Sequence, residues 1–88
     1  MIEAVCLLLT RDFEGWREEF SHRARVFQHR ESNTTVVQYA NKAVEVNMFQ
    51  VSYFDRRRVE AAIEERMQRK IMDHLTDQSI AYLEDGDR

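Results

Sequence analysis

The 88-residue sequence contains no proline, two glycines (Gly15 and Gly86) and one cysteine (Cys6). Without proline or glycine clusters no position reads as a linker, so one domain is expected over residues 1–84, followed by a polar tail at 85–88. A single cysteine excludes an internal disulfide and leaves a structural zinc site short of ligands, so the expectation is a cytoplasmic protein with no metal and no cofactor. No apolar run is long enough to span a bilayer, and Glu3 stands where a secretory signal carries Lys or Arg, so no membrane association is expected. No glycine-rich phosphate loop occurs. The net charge of −3 has the wrong sign for a general nucleic-acid binder, which puts nucleic acid outside the expected partners.

What is present is the composition of a globular domain, 43% hydrophobic and 33% charged. Residues 2–9 are apolar almost throughout and read as a strand. Phe13, Trp16, Phe20, Ala24 and Phe27 recur at helical spacing and predict a first helix. Thr34–Tyr39 and Val44–Val51 read as a hairpin with Asn41 and Lys42 at its tip, which groups Val37, Tyr39, Val44 and Val46 on one face and Val36, Gln38, Glu45, Asn47 and Phe49 on the other. Ser52 and Asp55 are spaced to cap a second helix running through Val59, Ile63, Met67, Ile71 and Leu75. Ser79–Leu83 reads as a last strand.

This order predicts an α+β fold, a ferredoxin-like βαββαβ sandwich with a four-stranded antiparallel sheet and both helices on one face. The uncovered face is then apolar and predicts a homodimer packed sheet against sheet. The apolar stripe of helix two also rotates by about 160° between Val59 and Leu75, because a spacing of four overshoots the helical repeat. The overhang at Ile71, Met72 and Leu75 therefore requires either a break near Lys70 or a second subunit.

The element order, the aromatic segment Phe13-Glu14-Gly15-Trp16-Arg17-Glu18-Glu19-Phe20 and the hairpin Val36 to Val51 resemble the dimeric α+β-barrel superfamily, which includes antibiotic-biosynthesis monooxygenase-like proteins and small uncharacterised bacterial proteins. The resemblance implies a homodimer whose two sheets form a barrel, with ligands between sheet and helices or in the barrel interior. Haem-degrading members use an Asn on the first strand; residues 2–9 hold none, so no haem-binding role carries over.

Gln38, Glu45 and Asn47 form the polar group on the predicted interface, and Glu45 is the one candidate general base. Gln38, Asn47, Phe49, Trp16 and His74 form the candidate ligand-binding set, suited to a small apolar or aromatic molecule. Eleven of the thirteen basic residues are Arg, and Arg56, Arg57 and Arg58 form the densest cluster, a candidate contact for an anion or an acidic partner. Glu19 and His22 have the spacing of paired metal ligands on a helix, but their predicted face points to solvent. The expected function is that of a small soluble homodimeric binding or regulatory protein without catalysis. The alternative is a cofactor-free enzyme, monooxygenase-like or isomerase-like, acting on a small apolar or aromatic metabolite.

Overall fold

The computed structural model describes the backbone of residues 1–86 and the side chains of residues 1–73. Seven elements follow one another: α1 (Ile2–Arg11), β1 (Trp16–Phe20), β2 (Ala24–His29), β3 (Thr35–Tyr39), β4 (Val44–Val46), β5 (Phe49–Gln50) and α2 (Tyr53–Gly86). The class is α+β as expected, with two helices and one antiparallel sheet. The sheet has five strands in the order β1-β2-β3-β4-β5, a plain meander. The chain order is thus αβββββα instead of βαββαβ.

Four elements differ from the sequence reading. Residues 2–11 form a helix: Ile2, Val5, Cys6 and Leu9 lie at i, i+3, i+4 and i+7, and the two fully buried ones are Val5 and Leu9. A short all-apolar run satisfies both periods, and here the helical one wins. The expected first helix is instead the β1–β2 hairpin, with Trp16 paired to His29, Glu18 to Phe27 and Phe20 to Arg25 on one face. Its tip has no Gly, Pro or Asn; Ser21 closes it by accepting hydrogen bonds at Oγ from the Arg23 and Ala24 amides.

Tyr39 pairs with Ala43 through its amide (2.8 Å), which leaves three residues, 40–42, at the tip of the β3–β4 hairpin, with Lys42 in the left-handed region (φ 73°) and Asn41 Oδ1 accepting from the Ala43 amide. One extra loop residue shifts the register by one and flips every side chain of the pairing. Gln38 therefore pairs with Val44 and Val37 with Glu45, so Val36, Gln38, Val44 and Val46 share a face. The expected third strand also breaks, because Asn47 (φ 51°) and Met48 (φ 71°) form a tight turn between β4 and β5. Finally, α2 runs unbroken to Gly86 and takes in residues 79–83, where a strand was expected. Its start is as read: Ser52 Oγ accepts from the Asp55 amide at 3.3 Å.

Both helices cover one face of the sheet. The core consists of Val5 and Leu9 from α1, Trp16, Phe27, Val36, Val44 and Val46 from the sheet, and Val59, Ala62 and Ile63 from α2. The other face carries half-buried Val26 and Val37 among Arg17, Glu19, Gln28 and Glu45. The apolar strand that was to make this face greasy is α1, so the sequence argument for a sheet-to-sheet partner loses its main support. The radius of gyration is 15.7 Å, against about 12 Å for a compact chain of this length. The excess is the length of α2. Among the described residues no helix is long and apolar enough to cross a membrane.

Candidate functional site

The polar centre of the molecule lies where α1 ends. The last carbonyls of a helix lack intrahelical donors and must be satisfied from outside. Trp16 Nε1 donates to Leu8 O (3.0 Å), Arg69 Nη1 to Thr10 O (3.0 Å) and Arg66 Nη1 to Leu9 O (3.2 Å) and Asp12 O (3.0 Å). Arg66 Nη2 reaches Phe13 O (2.9 Å), and the Phe13 ring lies between the Arg66 and Arg69 guanidinium groups at 5.3 and 5.2 Å. The Arg66 side chain is fully buried; its charge is met by Glu18, Nε to Oε1 at 2.6 Å, and Lys70 Nζ holds the other Glu18 oxygen at 2.9 Å. Burial opposes ionisation of Glu18, but the hydrogen bonds from Lys70 and Arg66 outweigh it and hold the carboxyl below its ordinary value.

Beside this clamp runs a second polar chain. His29 Nε2 lies 2.9 Å from Asp12 Oδ2, and His29 Nδ1 lies 2.8 Å from Ser32 Oγ, which is 2.8 Å from Thr34 Oγ1. The Ser32 amide donates to Nδ1 at 3.1 Å, which fixes the neutral tautomer: the lone pair is on Nδ1 and the proton on Nε2. His29 is buried, edge-on to Trp16 at 4.9 Å, while Ser32 is exposed. Hydrogen bonds from His29 and the Gly15 amide hold the Asp12 carboxyl below its ordinary value. Gly15 sits so close that a Cβ there would collide with the Asp12 carboxylate and come within 2.9 Å of His29 Nε2. The order carboxylate, imidazole, hydroxyl is that of a nucleophile with its base. Here, however, the base nitrogen already accepts an amide proton, and the hydroxyl is shared with Thr34, so the chain locks the β2–β3 turn.

The residues singled out from sequence are not gathered. Glu45 lies on the open face opposite Val37 and accepts a hydrogen bond from the Tyr39 hydroxyl, which raises the Tyr39 pKa. Gln38 lies on the helix-side face. Asn47 is a turn residue whose Oδ1 accepts from the Thr35 amide at 2.9 Å, Phe49 is largely exposed on the edge strand, and Trp16 is core. His74 lies on α2, with its side chain outside the described residues. The three arginines diverge: Arg56 reaches Lys42 O and lies over Tyr53, Arg58 lies 3.8 Å from Asp55, and Arg57 is exposed. Glu19 is on β1 and His22 in the following turn, so they do not share a helix. Among the described residues no group of three or more His, Cys, Asp or Glu side chains is placed to hold a metal ion.

Sequence reasoning missed Asp12, His29 and Arg66. The one signal for Arg66 was an Arg on the same helical stripe as Val59 and Ile63, a cation in a core position that demands a buried partner.

The described residues line two recesses of contrasting polarity. A polar one of about 420 Å³ is lined by Ser21, His22, Arg25, Gln38, Tyr39 and Glu64 among others. An apolar one of about 330 Å³ lies between α1 and α2, with Glu3, Cys6, Leu7, Arg58, Ala61 and Glu65 in its walls. Burial raises the pKa of the Cys6 thiol. Among the described residues the last of α2 tied to the body by hydrogen bonds are Arg69 and Lys70; the helix itself runs on to Gly86. Ile71 and Met72, the first beyond the anchor, are 58% and 64% exposed.

No family model matches the chain, and no curated protein or solved structure matches it.

Proposed function

We propose that this chain is a non-catalytic homodimeric binding or regulatory module whose association element is α2. The observation that carries the reading is the exposed apolar pair Ile71 and Met72, which follows the anchors Arg69 and Lys70 on α2. Two adjacent apolar side chains left in water on a helix carry a hydrophobic cost that a partner surface removes. Continuity of α2 through Lys70 removes the break that the sequence offered as an alternative and so favours a second subunit as the cover. The dimer so formed joins helices, in place of the sheet-to-sheet barrel that the resemblance implies, and the αβββββα order departs from the order on which that resemblance rests. Light scattering across a concentration series tests the reading: a dimer is expected for the full chain and a monomer for Met72→Asp, and a full chain that is monomeric at every concentration overturns it.

A second reading, a cofactor-free enzyme with Ser32 as nucleophile, requires that His29 Nδ1 be released from the Ser32 amide that occupies it. A fluorophosphonate probe separates the two, since labelling of Ser32 that disappears in His29→Gln supports catalysis, and an unlabelled protein supports the binding module.

A further inference from the structure

The helix-facing side of the sheet is apolar along most of its length, with Trp16, Phe27, Val36, Val44 and Val46 buried beneath α1 and α2. Toward the β1–β2 turn that pattern breaks. Arg25 and Gln38 are cross-strand partners on the same face, one step beyond the buried Phe27–Val36 pair. Glu64 follows buried Ile63 on α2 and meets them from the helix side, so that all three line the polar recess of about 420 Å³ together with His22. Small-molecule sites span roughly 300–1,000 Å³, so the volume fits one.

Polar residues on an inward face are held by partners elsewhere in this molecule, as Glu18 is by Arg66 and Lys70. Here they are not. Among the described residues neither Arg25 nor Glu64 enters an ion pair and Gln38 makes no side-chain hydrogen bond, although a cation and an anion share one recess. The Ser21 hydroxyl in the wall is already committed, since it donates to Ala24 O and accepts from the Arg23 and Ala24 amides. The Ala40 amide donates to Arg23 O at 2.9 Å and ties this turn to the β3–β4 tip, which fixes the shape of the wall. Arg25 and Glu64 are exposed and Gln38 half-buried, so a ligand reaches them without rearrangement.

We propose that this recess binds a small zwitterion of the free α-amino acid class, its carboxylate on Arg25 and Gln38 and its ammonium on Glu64. The planar guanidinium matches a carboxylate, the Gln38 amide adds a further N–H donor, and the Glu64 carboxylate accepts from an ammonium group. A simple anion would meet Glu64 and a simple cation Arg25, so each encounters a like charge that the zwitterion pairs. The inference rests on the binding role proposed above, for which it names the ligand, and is independent of the dimer.

Two-dimensional amide NMR of the isotope-labelled full chain tests it. Titration with pooled free L-amino acids should shift the amides of His22, Arg25, Gln38 and Glu64 saturably. The member responsible, found by splitting the pool, should bind about tenfold or more tightly than its N-acetyl or its carboxamide derivative, each of which lacks one charge. Arg25→Met and Glu64→Gln, both at exposed positions, should each weaken binding by about tenfold or more and leave the rest of the spectrum in place. Should Arg25→Met lose its dispersed spectrum, Glu64→Gln on the helix flank carries the same test. The inference is overturned if no pooled amino acid gives a saturable shift at these amides, or if the N-acetyl derivative or inorganic phosphate binds as tightly as the free amino acid. Light scattering reads the dimer separately: a monomer that binds the amino acid overturns the dimer alone, and a dimer that binds none overturns this inference alone.

Discussion

Arg66 Nε and Glu18 Oε1 lie 2.6 Å apart across 48 positions of sequence, joining the middle of α2 to the inward face of β1. The same guanidinium satisfies carbonyls of Leu9, Asp12 and Phe13, so one buried cation ties together α1, the following loop, the sheet and α2. Removing one partner of a buried ion pair strands the other, at a cost of about 3–5 kcal/mol. Arg66→Met should therefore bring a domain of this size close to unfolding, read as a collapse of the urea midpoint. The double variant Arg66→Met/Glu18→Leu should recover part of the loss, since no charge is then left unpaired. A single variant as stable as the parent protein contradicts the clamp.

The carboxyl groups of Glu18 and Asp12 both titrate below their ordinary values in the folded chain. A depressed carboxyl favours the native state wherever the group is ionised. That contribution is complete above the ordinary Glu value of 4.5 and drains away as the pH falls through the lower native value. Chemical denaturation should show stability falling on acidification over that window. Glu18→Gln should flatten the dependence, and an unchanged acid slope in that variant assigns the effect elsewhere.

The same pair explains what the sequence concealed. Trp16, Glu18 and Phe20 alternate as a strand should, but Glu18 in the inward position spoils the apolar pattern, and its partner lies far along the chain where no local window sees it. With alternation hidden, the wider spacing of Phe13, Trp16, Phe20, Ala24 and Phe27 read as a helix. Residues 2–9 misled for the opposite reason, being apolar enough to suit either period. The rotation of the α2 stripe, by contrast, was legible, because it depends only on spacing within one helix, and Ile71 and Met72 stand exposed where it leaves the body. The Asp12–His29–Ser32 chain joins a loop, a strand and a turn, and only the folded register brings them within reach.

Gly15 is held by close approach and not by backbone conformation. A Cβ at this position would drive against the Asp12 carboxylate and the His29 ring, separating the pair. Gly15→Ala should destabilise the protein by about 1–3 kcal/mol, as overpacking does. A change of the opposite sign, the usual gain from stiffening an unfolded chain, would show that Asp12 can move aside without loss. Thermal unfolding of the two proteins at one concentration decides between them.

Met48 is 87% exposed and holds φ at 71° in the β4–β5 turn, beside Asn47 at 51°. Left-handed backbone costs a residue with a Cβ about 1–2 kcal/mol, which glycine avoids at some expense in chain entropy. Met48→Gly should raise stability by roughly 0.5–1 kcal/mol. Asn47→Gly should lower it, because the Asn47 side chain also accepts the Thr35 amide hydrogen bond. A destabilised Met48→Gly would mean that the exposed thioether makes a contact in the dimer, and the loss would then shrink on dilution.

Association should be visible in the helix itself. Sixteen residues of α2 follow Lys70, and an isolated segment of that length is marginal without a packing partner. Met72→Asp places a charge on the exposed apolar surface that the dimer would cover, so the variant should be monomeric. Its mean residue ellipticity at 222 nm should fall as the distal half of α2 frays, while the clamp at Arg66 keeps the body folded. For the parent protein the melting temperature should rise with concentration, as mass action requires of a dimer, and for Met72→Asp it should not. A concentration-independent melt in both proteins, with equal ellipticity, would mean that α2 stands without a partner.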